Sequence, residues 1–328
     1  MNVAVVGGGS WGTALAAHLA RTGHGVRQWL RRSEAARAVS ERRENPDYLP
    51  GIGLPEGIAA GSDLAEAVAD ADTVLLVVPS EFCRDLVRRL KPLLRPEAVL
   101  VSAAKWIEVD TLRRITQVAA EEAPGHVLAV LSGPSFALEV AREQPTAVVV
   151  ASTDQDAAES VQRMLSSRTF RAYSSQDVVG VELGGALKNV IAIAAGIVDG
   201  LGYGHNTVAA LITRGLAEIT RLAVAEGARA DTLSGLAGLG DLVLTCTGAL
   251  SRNRRVGQVL GAGRSLEEAL RGTGMVAEGV RTTLAACALA ERAGVEMPIA
   301  QQMRAVLHQG KEPQAAVDEL MLRSLKRE

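Results

Sequence analysis

The start of the chain decides the fold: the run Asn2-Val-Ala-Val-Val6 leads directly into Gly7-Gly-Gly-Ser-Trp-Gly12. The β-branched apolar run predicts a buried strand, and the pattern after the turn predicts a helix. Gly7, Gly9 and Gly12 have the spacing GxGxxG. In a strand–turn–helix unit these glycines allow a tight turn, the approach of a pyrophosphate, and close packing of helix on strand. The stretch predicts a dinucleotide-binding turn, although a glycine-rich turn can also be purely structural.

The rest of the first half repeats the alternation of apolar strand and amphipathic helix. One helix is predicted to begin at Asp63, which has a capping-box spacing to Glu66. Strands that are apolar throughout predict a parallel sheet covered on both faces. Residues 1–177 are therefore predicted to form a doubly wound, Rossmann-type α/β domain. The predicted strands are Asn2–Val6, Val26–Leu30, Thr73–Val78, Ala98–Ser102, His126–Leu131, Thr146–Ala151 and Thr169–Tyr173.

The strand pattern stops near Asp177, and helical patterns separated by glycine or proline follow. Residues 178–328 are therefore predicted to form a separate all-α domain. Its apolar helices are compatible with a homodimer, which we expect. The predicted helices are Val178–Asp199, Asn206–Glu226, Arg254–Leu260, Leu266–Leu270, Gly279–Ala293, Ile299–Leu307 and Pro313–Leu322.

Composition excludes several classes of protein. With 35 basic and 37 acidic residues the chain has a net charge of −2, so nucleic acid is not expected as a partner. The cysteines Cys83, Cys246 and Cys287 lie far apart, which predicts neither a disulfide framework nor a metal site. The longest uncharged apolar run, Val190 to Val198, is about half of a membrane span. With no signal-peptide pattern at the start, a cytoplasmic protein is expected.

The end of the second predicted strand bears on the choice of cofactor. A carboxylate there would hold the adenosine ribose of NAD, whereas an arginine accommodates the 2′-phosphate of NADP. This strand ends in Arg31 and Arg32, with no acid. The two arginines are also compatible with a solvated loop, but their position favours NADPH, with NADH possible.

Two further glycine-containing stretches could belong to a site. Ser132–Ala137 follows a strand and opens a helix, at the sheet edge where such folds bind ligands, but an ordinary turn has the same residue types. Gly235–Thr245 places the carboxylate of Asp241 in an apolar, glycine-rich setting, where it is either functional or a helix cap.

Basic residues are distributed unevenly. Ser251–Arg255 reads SRNRR, which is either a solvated face or a phosphate-binding group, since the arginine fork suits phosphate. Only five of the 35 basic residues are lysines. One of them, Lys188, lies in an apolar helix beside glycines. It either extends its amine from a buried helix to solvent or serves as a general acid/base, because lysine, unlike arginine, can release a proton. We favour the second role.

Together these motifs resemble the bacterial NAD(P)-dependent glycerol-3-phosphate dehydrogenases. The resemblance extends over nearly the whole chain and includes GGGSWGTALA, GPSFA, LKNVIAI, GLGDLVLTCT, SRNRR and GVEMPI. It implies reversible reduction of dihydroxyacetone phosphate to sn-glycerol 3-phosphate for phospholipid synthesis, and a helical domain like that of 6-phosphogluconate dehydrogenase.

The resemblance also implies roles for individual residues, with Lys188 as the proton donor and acceptor. Asp241 and Asn189 are expected to orient Lys188 or the substrate hydroxyls. The implied substrate contacts are Lys105, Gly133, Ser135, Lys188, Asp241, Ser251, Arg252 and Asn253. The implied cofactor contacts, with the glycine turn and Arg32, are Ser10, Trp11, Arg31, Tyr48, Lys105, Ala137, Arg252, Val276 and Glu278.

One position departs from the family pattern: Trp106 follows Lys105 where the family usually has glycine. Tryptophan does not readily adopt the positive φ that glycine allows, so either the loop does not need it or its path differs. Two alternative functions remain: a β-hydroxyacid dehydrogenase, against which GLGDLVLTCT and SRNRR weigh, and an NADPH-binding sensor without turnover. A sensor would not need Lys188, Asp241 and Arg252 together.

Overall fold

The computed structural model describes residues 1–271 and 277–325. They divide into two compact units. The first unit contains residues 1–105 and 113–181, and the second contains residues 106–112 and the chain from residue 182 onward.

The first unit is built on one eight-stranded sheet with the strand order 3-2-1-4-5-6-7-8. Strands β1 to β6 are parallel and in the order of a dinucleotide-binding sheet, which confirms the Rossmann-type α/β fold. The strands are β1 (Asn2–Val6), β2 (Gly25–Trp29), β3 (Ile58–Gly61), β4 (Thr73–Leu76), β5 (Val99–Ser102), β6 (Leu128–Ser132), β7 (Thr146–Ala151) and β8 (Phe170–Ser175).

The sheet differs from the sequence prediction in two places. β7 pairs antiparallel with β6, with Val130 opposite Ala151, so the prediction of a wholly parallel sheet is wrong at this edge. The connection from β6 to β7 contains only a five-residue helix, too short to return along the sheet as a parallel crossover requires. β3 was not predicted, because Ile58 is its one buried residue and gives no apolar run.

Helices cover the sheet of the first unit. Asp63 begins one of them as predicted, since its Oδ1 accepts hydrogen bonds from the backbone N–H groups of Ala65 (2.8 Å) and Glu66 (3.1 Å). The core lies between the sheet and α1, where Leu15 and Leu19 pack among buried valines and leucines. The helices are α1 (Ser10–Arg21), α2 (Ser33–Arg42), α3 (Leu64–Val68), α4 (Ser80–Leu90), α5 (Ile115–Glu122), α6 (Ala137–Ala141) and α7 (Gln155–Leu165), with a 3₁₀ turn at Lys91–Leu93.

The second unit is helical in the part of the chain that the structure describes. The predicted helices are present within two residues of their expected ends. The stretch Gly235–Thr245, read from sequence only as glycine-rich, is helical from Leu236 onward, and the short helix Ala230–Ser234 before it is a further difference from the prediction. The helices are α8 (Val178–Gly200, which begins in the first unit), α9 (His205–Ala225), α10 (Ala230–Ser234), α11 (Asp241–Thr247), α12 (Arg252–Gly261), α13 (Leu266–Arg271), α14 (Glu278–Ala293), α15 (Pro298–His308) and α16 (Pro313–Met321).

Helix α8 forms the core of the second unit. It is the one described helix long and apolar enough to cross a membrane by length and composition, and its apolar window is 100% buried. An α-helix that is apolar on all sides must be covered by other elements. Neighbouring helices supply that cover, and two of them approach α8 closely enough to bring polar side chains against it.

Candidate active site

The glycine turn has the geometry of a phosphate-binding turn. Gly7 has a φ of +145°, and a Cβ on it would lie 2.1 Å from the carbonyl oxygen of Val77. A Cβ on Gly12 would lie 2.3 Å from the carbonyl oxygen of Gly7. A Cβ on Gly9, by contrast, would meet no heavy atom of the described residues within 4 Å. Gly7 and Gly12 therefore permit the tight packing, while the open side of Gly9 leaves room for a ligand against the backbone.

Helix α1 starts at this turn and presents its N-terminus there. Its cap residue is Gly9, which makes no side-chain hydrogen bond, and its first turn carries no acidic residue. Unsatisfied backbone N–H groups and the positive end of the helix dipole favour an anion. The residues present thus fit the pyrophosphate of a dinucleotide.

Three buried side chains that sequence reasoning missed hold this turn. Gln28 Nε2 donates to the carbonyl oxygen of Gly7 (3.0 Å) and to Thr13 Oγ1 (3.2 Å). Asn45 Nδ2 donates to the carbonyl oxygen of Gly8 (2.9 Å) and to Thr13 Oγ1 (2.7 Å). Gln28 could have been found from the sequence, because it places a polar amide inside an apolar strand. Asn45 gave none, because it lies in an irregular segment.

The other predicted cofactor residues near the turn lie on the same unit. Ser10 Oγ donates to the backbone carbonyl oxygen of Tyr48 (2.6 Å), so it is the main chain of Tyr48 that joins the turn. The indole Nε1 of Trp11 is buried and has no hydrogen-bond partner among the described residues. Ala137 is the first residue of α6, which packs on α1. Their roles toward a cofactor stay predictions.

Arg31 and Arg32 are exposed just beyond the end of β2, but their surroundings differ. The guanidinium of Arg31 lies over the ring of Phe82, 5.5 Å from its centroid. Arg32 is paired with the carboxylate of Asp47, and this hydrogen bond raises the pKa of the Arg32 guanidinium. The strand itself ends without an acidic residue, but in the folded unit the carboxylate of Asp47 lies beside Arg32 at this strand end.

Lys105, Gly133 and Ser135 converge at the carboxyl ends of β5 and β6. Lys105 Nζ and Ser135 Oγ both donate to the carbonyl oxygen of Gly133, at 2.9 Å each. Gly133 has a φ of +134°, and a Cβ on it would lie 2.9 Å from the Cα atom of Val148. A side chain at position 133 would therefore both strain this turn and push it away from β7.

Trp106 causes no backbone strain. Among the described residues the non-glycine positions with positive φ are Arg43, Leu112 and Glu143, so Trp106 has an ordinary φ. Its side chain is buried. The loop therefore does not need glycine at this position.

In the second unit, Lys188 and Asp241 form a buried ion pair between Nζ and Oδ1. Their side chains are only 8% and 1% exposed, and Thr245 Oγ1 donates to the backbone carbonyl oxygen of Asp241 (2.6 Å). The alternative in which Lys188 extends to solvent is wrong. The cap alternative for Asp241 is also wrong, because Gly240 occupies that position of α11.

Close backbone packing on α8 explains how these two side chains meet. Gly184 lies one turn before Lys188, and a Cβ on it would lie 2.7 Å from the carbonyl oxygen of Ala237. Residues Leu236–Gly240 form a wide π-helical turn, in which the N–H of Gly240 donates to the carbonyl oxygen of Gly235 (3.0 Å). Such turns are frequent at functional sites. This one directly precedes Asp241.

Helix α12 also packs closely against α8, and its first turn lies beside Asn189, the residue after Lys188. A Cβ on Gly196 would lie 1.9 Å from the carbonyl oxygen of Arg254, so the two helices touch through their backbones. Asn253 Nδ2 donates to Asn189 Oδ1 (2.9 Å), and Asn253 Oδ1 accepts from the N–H of Gly279 (3.0 Å). Ser251 caps α12, since its Oγ accepts from the N–H of Arg254 (3.3 Å).

The predicted residues of the second unit thus gather around one part of α8. Arg252 lies half-buried in the first turn of α12, next to Asn253. Glu278 is the first residue of α14, next to Gly279. The prediction for Val276 lies outside the described residues.

The remaining groups of this cluster have other roles. Arg254 Nη2 is paired with Asp199 Oδ2 (2.9 Å), whereas Arg255 is exposed, so SRNRR is not a uniform basic patch. Burial raises the pKa of the Cys246 thiol to about 12, which keeps it neutral.

Comparison with known proteins identifies the family. Residues 2–158 match the model of the NAD-dependent glycerol-3-phosphate dehydrogenase N-terminus, and residues 177–318 match that of its C-terminus. The chain is 55% identical over 331 residues to the glycerol-3-phosphate dehydrogenase [NAD(P)+] of Syntrophotalea carbinolica, covering 100% of this chain and 99% of the relative. It is 54% identical over 330 residues to that of Nitratidesulfovibrio vulgaris, with 100% of both chains covered.

A solved structure supports the same conclusion. The crystal structure of glycerol-3-phosphate dehydrogenase from Coxiella burnetii superposes with a TM-score of 0.95 at 42% identity, covering 98% of this chain and 99% of that one. The glycine turn and the sheet order agree with this assignment. The chain belongs to the NAD-dependent glycerol-3-phosphate dehydrogenase family.

Proposed function

We propose that this chain catalyses the reversible NAD(P)H-dependent reduction of dihydroxyacetone phosphate to sn-glycerol 3-phosphate. The observation that carries the proposal is the buried ion pair of Lys188 and Asp241 beside the arginine-bearing start of α12. The curated relatives, named for this activity with NAD(P)+, support it along the whole chain.

The glycine turn and the start of α1 would hold the cofactor. The backbone beside Gly9 and the N-terminus of α1 bind the pyrophosphate, and Arg31 and Arg32 bind a 2′-phosphate. The bound nicotinamide supplies the hydride, while the protein supplies position and electrostatic environment. The further cofactor contacts that we assign are Ser10, Trp11, Tyr48, Lys105, Ala137, Arg252, Val276 and Glu278.

Lys188 delivers the proton. Reduction of the substrate ketone builds negative charge on its C2 oxygen, and the ammonium of Lys188 both stabilises that charge and donates a proton from Nζ. Asp241 holds Nζ in place through their buried ion pair. In the reverse direction the neutral amine accepts the proton from the C2 hydroxyl.

The substrate phosphate and hydroxyls need several polar partners. Arg252 is the principal phosphate ligand, because its planar fork forms two parallel hydrogen bonds to a phosphate. Fixing the phosphate fixes the carbonyl and removes much of the entropic part of the barrier. The further substrate contacts are assigned to Lys105, Gly133, Ser135, Asp241, Ser251 and Asn253.

Five finer points belong to the same proposal. NADPH is preferred, with NADH possible, because two arginines follow β2. The enzyme acts in the cytoplasm as a homodimer and supplies glycerol 3-phosphate for phospholipid synthesis. The predicted division into a cofactor domain (1–177) and a helical substrate domain (178–328) is retained here as a functional one.

The direct test is the oxidation of NADPH, followed by the loss of absorbance at its nicotinamide band, with dihydroxyacetone phosphate as substrate. We expect turnover with this ketone and little with unphosphorylated dihydroxyacetone, because that ketone has no phosphate for Arg252 to bind. Binding of NADPH without turnover would instead indicate the sensor. Turnover only with a β-hydroxyacid would indicate the other dehydrogenase class.

A further inference from the structure

The segment between α2 and β3 is fastened to the glycine turn on both sides of Asp47. On one side, the buried Asn45 donates to the carbonyl oxygen of Gly8 (2.9 Å). On the other side, Ser10 Oγ donates to the carbonyl oxygen of Tyr48 (2.6 Å). These two anchors fix the position of a carboxylate that is 15 residues away from Arg32 in sequence.

The carboxylate of Asp47 lies against Arg32, and both side chains are about half exposed, at 51% and 50%. Arg31 contacts the ring of Phe82 and has no ion pair among the described residues. The two arginines beyond β2 are therefore not equivalent. The charge of Arg32 is compensated by the protein, and that of Arg31 is not.

The end of β2 is where this fold class recognises the adenosine ribose. A carboxylate there accepts hydrogen bonds from the ribose hydroxyls of NAD, and an arginine accommodates the 2′-phosphate of NADP. Here two arginines follow β2, and the segment after α2 brings a carboxylate to Arg32.

We propose that Asp47 sets the preference between NADPH and NADH, by holding Arg32 in an ion pair that the 2′-phosphate of NADPH must replace. With NADH bound, Arg32 stays on Asp47, whose carboxylate is available as an acceptor for the ribose 2′-hydroxyl. With NADPH bound, Arg32 turns to the 2′-phosphate, and the carboxylate of Asp47 stays nearby and repels that phosphate. The inference rests on the proposed use of both cofactors.

The size of the effect follows from exposed charges. One pair of unit charges at about 4 Å in water is worth about 1 kcal/mol, which is about fivefold in a dissociation constant. Asp47→Asn is therefore expected to lower the Kd for NADPH by about fivefold and to leave the Kd for NADH unchanged or higher. The ratio of the two constants is expected to move toward NADPH.

The experiment measures both constants by the fluorescence of the reduced cofactors, on the full chain without substrate. Asp70→Asn is the matched control, because Asp70 forms an exposed ion pair with Arg27 of β2 (3.3 Å). Arg32→Gln and the double variant test whether Asp47 acts through Arg32. We expect no change of ratio in the control and at least half of the Asp47→Asn effect to vanish in the Arg32→Gln background.

Three results would overturn the inference. These are an unchanged or reversed ratio in Asp47→Asn, an equal shift in Asp70→Asn, and a full shift that remains without Arg32. Because the titration needs no turnover, its failure is distinct from failure of the proposed reaction, which the ketone assay reports separately.

Discussion

The glycine turn of the first unit and the Lys188 site of the second are built in opposite ways. The turn is contiguous, spans six residues and uses backbone atoms, and the charges near it, Arg31 and Arg32, are exposed. The Lys188 site joins side chains 53 and 64 residues apart, through the Lys188–Asp241 and Asn189–Asn253 pairs, and buries its charges. A backbone motif can be read from spacing, whereas a buried side-chain cluster exists only once helices have packed.

This difference also sets the size of the energies involved. Exposed charge pairs are screened by water and contribute roughly 0–1 kcal/mol. A buried pair is much more sensitive, because removing one partner leaves an uncompensated charge. Substitutions at the Lys188 site should therefore change activity or stability more than substitutions of the exposed Arg31 and Arg32 beside the glycine turn.

The largest expected effect is at Lys188. Lys188→Arg keeps a positive charge opposite Asp241 but replaces a transferable proton with one that arginine effectively does not release. We expect kcat for dihydroxyacetone phosphate to fall by roughly 10²–10⁴-fold, the usual contribution of general acid–base catalysis. NADPH affinity, measured by fluorescence titration, is expected to stay the same.

The structure also decides which control suits this experiment. Lys188→Met alone removes the ammonium opposite the buried carboxylate of Asp241, and breaking a buried ion pair should cost about 3–5 kcal/mol of folding free energy. Adding Asp241→Asn removes that charge and should restore much of the lost stability without restoring activity. A Lys188→Arg enzyme with nearly the parental rate would refute the acid/base role.

The next largest effect is expected at the start of α12. Arg252→Ala should raise the KM for dihydroxyacetone phosphate by an amount equivalent to about 2–5 kcal/mol, because it truncates one partner of a desolvated charge pair. Arg254→Ala loses its ion pair to Asp199 and should lower the melting temperature with little change in KM. Arg255→Ala should change neither. Steady-state kinetics in which all three variants raise KM equally would show a diffuse basic patch.

Glu218 is a buried ionisable residue for which we expect a structural role, in contrast to the catalytic role of Lys188. Its carboxylate is buried and accepts hydrogen bonds from the N–H groups of Ile299 (2.8 Å) and Ala300 (3.4 Å) at the start of α15. Burial outweighs these bonds and raises the pKa of Glu218 to about 7. Because the folded pKa lies above the ordinary value of 4.5, the folded state retains the proton that the unfolded chain loses as pH rises from 4.5 to 7.

The stability that this group contributes is therefore complete below about pH 4.5 and is lost by about pH 7. The loss should be on the order of 3 kcal/mol, at roughly 1.4 kcal/mol for each pH unit. Glu218→Gln should remove this pH dependence from the melting temperature and leave kcat unchanged. Identical melting curves for both proteins across that range would contradict the assignment.

The smallest expected effect is at the exposed Arg31 and Arg32. Arg31→Glu combined with Arg32→Glu should weaken NADPH binding on the order of tenfold to thirtyfold more than NADH binding, because the 2′-phosphate then faces like charge. Cofactor titrations measure this directly. Equal losses for both cofactors would remove the assignment of the two arginines to the phosphate.

The sheet shows where sequence reasoning ends. Seven of its strands were visible as apolar runs, but β3 was not, because only Ile58 among its residues is buried. β7 is antiparallel to β6 because the helix between them, Ala137–Ala141, is too short for a parallel crossover. The apolar pattern of a strand does not indicate whether the strand is parallel or antiparallel to its neighbour. In the second unit the helices around Asp241 were hidden by glycines that serve close packing there.

The sequence by itself determined the glycine turn, the Rossmann-type sheet and the importance of Lys188, because each depends on local spacing or on an unusual residue in an apolar run. The tertiary structure alone decided which groups these residues meet. Asp241 reaches Lys188 because Gly184 lets the π-helical turn approach α8. Asp47 reaches Arg32 because Asn45 and Ser10 fasten its segment to the turn. Contacts between distant segments depend on how the backbones pack, and no single stretch of sequence contains that information.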